Sequence, residues 1–208
     1  VGAMLALQNL NKSNKMLETT QLHITTGLKV NGPKDDAATY AIAQRMRGDI
    51  AGMGAVKTAL SNGEATVNVA ITAGKAVADM LTEMKAKTVQ ANQAGLDTAS
   101  KDALQNDFTS LRDQLTTIVQ TAEFNGKNLI TSTATSLTVL STVDGSTISV
   151  AAQKLDTTTL GINASNISSG ASAALVAIDA AINTVTSSLA SMGSSSKRID
   201  VQSEFTVQ

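Results

Sequence analysis

The residues of this chain whose types and spacing could support chemistry are few. Ser194 and Lys197 form a Ser-x-x-Lys pair, a spacing that can place a nucleophile and a base on one helical face. Nothing else in the sequence supplies the oxyanion site or the further motifs that such acyl-transfer enzymes need. Asp35 and Asp36 are adjacent carboxylates, but helix capping explains them better than acid–base catalysis does. We therefore expect no catalytic site and no enzymatic activity.

Metal, cofactor and nucleic-acid sites have as little support. His23 is the only histidine and cysteine is absent, so His23 has no obvious co-ligands for a metal ion. No glycine-rich loop follows a strand pattern, so neither a dinucleotide fingerprint nor a P-loop is present. The net charge of −1 and the lack of a run of Lys or Arg give no footprint for nucleic acid. We expect no cofactor and no metal.

The chain is organised around a break between two helices at Asn31-Gly32-Pro33. Asparagine tolerates a positive φ, glycine adopts it freely and proline lacks an N–H, so no helix passes through this tripeptide. The following Lys34-Asp35-Asp36-Ala37-Ala38 places two carboxylates at the start of a helix, where they favour the positive end of the helix dipole. Before the break, apolar residues recur at helical spacing and predict a helix over 3–26.

A second, long helix is predicted from Asp36 to about Ala94. Its apolar or small positions step by three and four, a repeat that predicts a seam facing other helices. These positions are Met46, Met53, Val56, Leu60, Gly63, Val67, Ala70, Gly74, Val77, Leu81 and Met84. Glycines are unfavourable in a helix, at about 1 kcal/mol each, so we expect close approach of a partner backbone, or else a bend or break over 48–54.

After a turn at Gly95-Leu96-Asp97-Thr98, in which Asp97 or Thr98 is the expected cap, another helix is predicted to about Glu123, packing back on the long helix as an antiparallel hairpin. From Thr131 the apolar period changes to two, which predicts β-strands. Val143-Asp144-Gly145-Ser146 predicts the turn of a β-hairpin that packs on the helices near their distal end.

A polar linker over 164–171 leads to a returning helix with Ser172 as its predicted cap. The expected fold is mainly α: an elongated antiparallel bundle of three long helices with a small β-hairpin region at one end. We divide the chain into 1–35, the N-terminal helix and break; 36–163, the long helix, second helix and β-hairpin; and 164–208, the linker and returning helix.

Five segments resemble the bacterial flagellins. They are Leu10-Asn11-Lys12-Ser13, Thr26-Gly27-Leu28-Lys29-Val30-Asn31, Lys34-Asp35-Asp36-Ala37-Ala38, Phe124-Asn125-Gly126-Lys127 and the stretch from Gln153 to Ile162. The resemblance implies a structural subunit of the flagellar filament, which polymerises through helical terminal regions and serves motility. Because only 163–171 separates the hairpin region from the returning helix, the chain is similar to short flagellins with little or no variable outer domain.

The resemblance also implies a patch for subunit packing and for recognition by an innate immune receptor. Where the recognised pattern is Leu-Gln-Arg-Val-Arg-Glu-Leu-Ser-Val-Gln, this chain has Leu81-Thr82-Glu83-Met84-Lys85-Ala86-Lys87-Thr88-Val89-Gln90. Glu83 replaces an arginine and Lys87 replaces a leucine. A reversed charge and a lost apolar anchor each weaken a matched interface, so we predict poor activation of the receptor.

An alternative stays open: a cell-surface flagellin homologue that binds an extracellular ligand such as an acidic polysaccharide. Lys12, Lys15, Lys29 and Lys34 lie near the break and are the candidate cationic contacts.

The expected location is extracellular. No stretch approaches the roughly 20 consecutive apolar residues that span a bilayer, and no classical signal peptide is visible. The resemblance implies export without such a peptide, and an export chaperone and cap and hook-associated proteins as partners besides other copies of the chain. The family extends before Val1 and beyond Gln208, so we expect a form trimmed at both ends that stays monomeric.

Overall fold

A computed structural model describes residues 2–207, which fall into two compact units, one up to Gly52 and the other from Met53. The elements are α1 (Gly2–Thr26), α2 (Ala37–Ala91), α3 (Thr98–Thr121), β1 (Glu123–Phe124), β2 (Lys127–Asn128), β3 (Leu137–Leu140), β4 (Thr147–Val150) and α4 (Ile167–Val207). The mainly α class with a small β region is confirmed. The predicted division into three segments stays a prediction.

The predicted break follows α1. The helix ends at Thr26, and Gly27 takes a φ of +67°, a left-handed conformation that favours glycine. Asp35 then organises the backbone of the break, because its Oδ2 accepts hydrogen bonds from the N–H groups of Asn31 at 3.0 Å and Gly32 at 3.3 Å. One carboxylate therefore satisfies two backbone donors in a stretch that has no helical bonds to offer them.

Two further aspartates cap helices. Asp36 Oδ1 accepts from the N–H groups of Ala38 and Thr39 at the start of α2, and the Thr39 hydroxyl donates to Asp36 Oδ2 at 2.6 Å. Asp97 Oδ1 accepts from Ser100 N at 2.8 Å at the start of α3. The hydrogen bonds from Thr39 and from Ser100 hold the pKa of Asp36 and of Asp97 below the ordinary value. Capping by Asp35 or Asp36 and by Asp97 or Thr98 was predicted, and Asp36 and Asp97 are the residues that cap.

Residues 53–207 form a bundle of three helices. The part of α2 that lies in this unit packs against α3 and α4 through the predicted seam, which is buried from Val56 onward. α4 runs antiparallel to α2, because Lys85 pairs with Asp179 and the Ser196 hydroxyl donates to Asn68 Oδ1 at 3.4 Å. The core is aliphatic apart from Phe108, as the composition predicts.

Two of the predicted seam glycines are sites of close packing. A Cβ at Gly63 would lie 2.6 Å from Val139 Cγ2, and one at Gly74 would lie 2.9 Å from Leu189 Cδ2. The expectation of a partner backbone is corrected here, because the neighbours are side chains of the same chain. At Gly48 and Gly54 no atom lies within 4 Å of such a Cβ. α2 is continuous from Ala37 to Ala91, so the alternative of a break over 48–54 is wrong.

Two small antiparallel strand pairs follow α3. β3 pairs with β4 in the register Leu137↔Val150, with Gly145 at a φ of +90° in the turn, so the predicted hairpin is confirmed. The pair of β1 and β2 was not predicted. Its turn is Asn125-Gly126, and both residues have a positive φ, 49° and 74°. Such a dipeptide is the preferred two-residue hairpin turn, so the sequence carried the signal.

The start of α4 corrects two expectations. The helix begins at Ile167, inside the stretch predicted as a linker, and Asn166 Oδ1 rather than Ser172 caps it by accepting from Ser169 N at 3.0 Å. Gly170 has non-helical angles, φ −142° and ψ 43°, so the helix is kinked in its first turns. The predicted cap is wrong because an asparagine six residues earlier satisfies the helix start.

α4 also qualifies the expectation about membrane spans. Its residues 167–206 contain an 18-residue window with a mean hydropathy of 1.4, which is long and apolar enough to cross a membrane by composition alone. The core helix of a soluble protein meets the same criterion. Ile178, Val185 and Met192 of α4 are buried in the core of residues 53–207, so we interpret α4 as a core helix.

Candidate interaction surfaces

The exposed apolar side chains are concentrated in residues 2–52. No residue described in this range is buried, although α1 and the first part of α2 carry leucine, isoleucine and methionine side chains in number. The exposed large side chains here are Met4, Leu5, Leu7, Leu10, Met16, Leu17, Leu22, Ile24, Leu28, Ile42, Met46 and Ile50. An apolar surface of this extent is typical of a site that another molecule covers.

The four candidate lysines near the break are all exposed. Lys12 and Lys15 line a shallow groove of about 380 Å³ on α1, together with Thr19 and His23. Lys29 and Lys34 lie in the break and are not part of that groove. The structure therefore brings two of the four cations to one surface.

The predicted packing and receptor patch on α2 is divided between the core and the surface. Leu81 and Met84 are fully buried in the core of residues 53–207. Glu83 and Gln90 are exposed, and 48% of Val89 is exposed. A partner that approaches α2 therefore meets the polar residues and Val89, whereas the leucine and the methionine stabilise the fold.

Both lysines of this patch are engaged within the chain. Lys85 Nζ lies 2.6 Å from Asp179 Oδ1 of α4, and Lys87 Nζ lies 2.6 Å from Asp107 Oδ2 of α3. The two cations thus connect α2 to each of its neighbours. Because all four side chains are partly exposed, each pair contributes only about 0.2–1 kcal/mol to stability.

A polar network joins α3 to the start of α4, and sequence reasoning missed it. Arg112 Nη1 donates to the carbonyl of Asn163 at 2.8 Å, and Gln105 Oε1 accepts from Ile167 N at 2.7 Å. The Ser168 hydroxyl donates to Asp102 Oδ1 at 2.9 Å. These contacts join residues 51 to 66 positions apart, so no local pattern could have revealed them.

The Ser-x-x-Lys pair lies on α4. Ser194 and Lys197 are both exposed and line a shallow groove of about 390 Å³ with Ile148, Arg198 and Val201. Among the described residues, no hydrogen bond joins the Ser194 hydroxyl to Lys197.

Comparison with known proteins identifies the family. A family model described as the bacterial flagellin N-terminal helical region matches residues 1–135. Flagellins FljM and FljK of Caulobacter vibrioides are 41% and 40% identical to the chain over 207 residues, which cover 98% of the chain and 76% of each relative.

A solved structure agrees in fold. Bacillus cereus flagellin superposes with a TM-score of 0.64 over 70% of the chain and 86% of that structure, at 20% identity. At that identity the similarity to this structure shows the fold alone. The Caulobacter relatives are similar in sequence as well. The chain therefore belongs to the bacterial flagellins, the structural subunits of the extracellular flagellar filament.

Proposed function

We propose that this flagellin packs against other copies of itself through the apolar side chains of residues 2–52. The supporting observation is that none of the described residues in this range is buried. Covering a leucine, isoleucine or methionine side chain contributes about 1.5–3 kcal/mol, so an association that covers several of them gains a substantial free energy. A filament supplies such cover by repeating one heterologous contact between identical subunits.

Seeded sedimentation tests this proposal. The chain, carrying the further terminal segments that the family has, is added to short filament fragments and the pelleted fraction is measured. We expect Leu17→Glu, at a side chain that is 68% exposed, to lower the pelleted fraction because it places a charge in the covered surface. Ser187→Glu is the matched control, since it adds the same charge at an exposed position of α4, outside residues 2–52.

Equal pelleting of the Leu17→Glu variant and the parent would contradict the proposed surface. Loss of pelleting in both variants would show only that added charge prevents assembly. Sedimentation of residues 1–208 alone tests the expectation that this form stays monomeric.

We also propose that the chain activates the innate immune receptor of the flagellin family poorly. Glu83 is exposed where the recognised pattern has arginine, and Lys87 is held by Asp107 where that pattern has leucine. In a reporter cell that carries the receptor, the double variant Glu83→Arg, Lys87→Leu should signal more strongly than the parent chain. Strong signalling by the parent would refute the proposal.

Polysaccharide binding is the competing proposal, supported by the groove on α1 that Lys12 and Lys15 line. Binding of an acidic polysaccharide should weaken steeply with salt, because exposed charges are screened within about 10 Å at 0.1 M. The double variant Lys12→Ala, Lys15→Ala should reduce that salt dependence, and the double variant Lys29→Ala, Lys34→Ala is the control outside the groove. Binding whose affinity does not depend on salt concentration would exclude this function.

From the family alone we propose three finer points. The chain leaves the cell without a classical signal peptide, an export chaperone and cap and hook-associated proteins contact it on the way, and it has no catalytic role. Mass spectrometry of the secreted chain would test the first point, because removal of a signal peptide shortens the amino terminus.

A further inference from the structure

The sole histidine of the chain has an unsatisfied nitrogen. Within residues 2–207, Nε2 of His23 is buried and has no hydrogen-bond partner, although 31% of the side chain is exposed. Buried polar atoms in proteins are almost always hydrogen-bonded, so each exception calls for an explanation. The nearest opposite charge is Asp35 Oδ2, 3.8 Å away.

Asp35 connects this nitrogen to the break. The same Oδ2 atom accepts hydrogen bonds from the backbone of Asn31 and Gly32, at 3.0 Å and 3.3 Å. His23 lies near the carboxyl end of α1, so the carboxylate stands between the last turns of that helix and the backbone that follows it. A hydrogen bond from the imidazole to Asp35 would therefore fix the break relative to α1.

The other charged groups near His23 do not compete for it. Lys12 and Lys15 lie on the same groove of α1, about three and two turns toward the amino terminus, respectively. Lys34, like Lys29, is exposed in the break. Among the described residues Asp35 is the one acid within 4.0 Å of the imidazole.

We propose that His23 and Asp35 form a pH-sensitive latch on the break. Imidazole gains its proton between about pH 8 and pH 5, and carboxylates stay ionised over that range. A protonated imidazole always carries a proton on Nε2 and is attracted to Asp35 by its charge, so it can shorten the 3.8 Å separation to a charge-assisted hydrogen bond, whereas the neutral ring lacks that attraction. The latch therefore closes when the imidazole is protonated and opens when the proton is lost.

Nuclear magnetic resonance of the full chain tests the latch. The backbone amide signals of Asn31 and Gly32 should shift between pH 5 and pH 8, with the same midpoint as the ring protons of His23. His23→Gln should abolish these shifts. Adding Gln21→His to that variant restores an imidazole about 200° around α1, away from Asp35, and should leave both amide signals unchanged.

The latch is refuted if the two amide signals are insensitive to pH in the parent chain, or if they move equally in the His23→Gln variant. Titration of these signals in the double variant would also refute it, because it would mean that any imidazole on α1 has the effect.

Limited proteolysis provides a second readout that does not depend on assembly. Trypsin cleavage at Lys29 and Lys34, normalised to cleavage at Lys12 and Lys15, should be about two- to fivefold slower at pH 6 than at pH 8, the range expected for an exposed ion pair. In the His23→Gln variant the normalised cleavage rate should be the same at pH 6 and pH 8. Equal ratios in the parent and the variant would overturn the proposal.

Discussion

Residues 2–52 and residues 53–207 carry similar amphipathic helical patterns but differ in burial. In the second range the seam positions of α2 from Val56 onward are buried, since α3, α4 and the hairpins supply partners within the chain. In the first range Met46, at the same three-and-four spacing, is 58% exposed. A seam pattern therefore specifies which face of a helix can be buried, whereas the neighbouring elements determine whether that face is buried within one chain.

The largest expected effect comes from matched leucine truncations in the two ranges. Leu81→Ala removes a fully buried side chain and should cost about 2–5 kcal/mol of unfolding free energy. Leu17→Ala, at a position 68% exposed, should change it by less than about 0.5 kcal/mol. Urea denaturation of the isolated chain measures both changes. Comparable losses of stability would contradict the difference in burial between the two ranges.

Alanine substitutions at two glycines of α2 should change the unfolding free energy in opposite directions. Gly63→Ala should destabilise by about 1–3 kcal/mol, because the new Cβ would lie 2.6 Å from Val139 Cγ2 and the core must shift. Gly48→Ala has no atom within 4 Å and should stabilise α2 by up to about 1 kcal/mol. Thermal unfolding distinguishes the two, and a destabilised Gly48→Ala chain would contradict the open surface.

Removing one of the two aspartate caps should change the unfolding free energy by a smaller amount, and the change should differ between residues 2–52 and residues 53–207. The pKa of Asp36 and of Asp97 is lowered by hydrogen bonds, so their stabilising effect is present above the ordinary value of 3.8 and is lost as the pH falls through the lowered values. Asp97→Asn should weaken this acid dependence in the unfolding of residues 53–207. Asp36→Asn should leave the acid dependence of that unfolding unchanged. Circular dichroism between pH 2 and pH 6 measures the unfolding of both variants.

The smallest effect is expected at the ion pairs on α2. Lys85→Met and Asp179→Asn should each cost no more than about 1 kcal/mol, and the double-mutant cycle should give a coupling of about 0.2–1 kcal/mol. Added salt should reduce that coupling. A coupling of zero in low salt would mean that the 2.6 Å contact contributes nothing to stability.

The elements were largely predictable from local patterns, whereas their contacts were not. Asn31-Gly32-Pro33 marked a break, and the pair Asp97-Thr98 marked a cap, because turn and cap chemistry acts within a few residues. The partner of Lys85 could not be predicted, since Asp179 lies 94 positions away and the pairing depends on the register of α4. Met46 and Met53 were placed in the seam by spacing alone, and both are exposed because no element described here covers them.

Two errors came from signals that were present in the sequence. No turn was predicted at Asn125-Gly126, although the pair strongly favours a two-residue hairpin. Asn166 was passed over for Ser172, yet asparagine is at least as good a helix cap as serine. In both cases a correct local rule was available.

The antiparallel register of α2 and α4 limits how the length of this protein can change. In the contacts Lys85–Asp179, Gly74–Leu189 and Asn68–Ser196, each step back along α2 is matched by a step of nearly the same number of residues forward along α4. One inserted residue rotates everything beyond it by about 100°, so it would carry each later contact off the shared face. Over evolution these helices are therefore expected to lengthen or shorten in paired steps of about seven residues, whereas the exposed turn at Asp144-Gly145 tolerates insertions without changing that register.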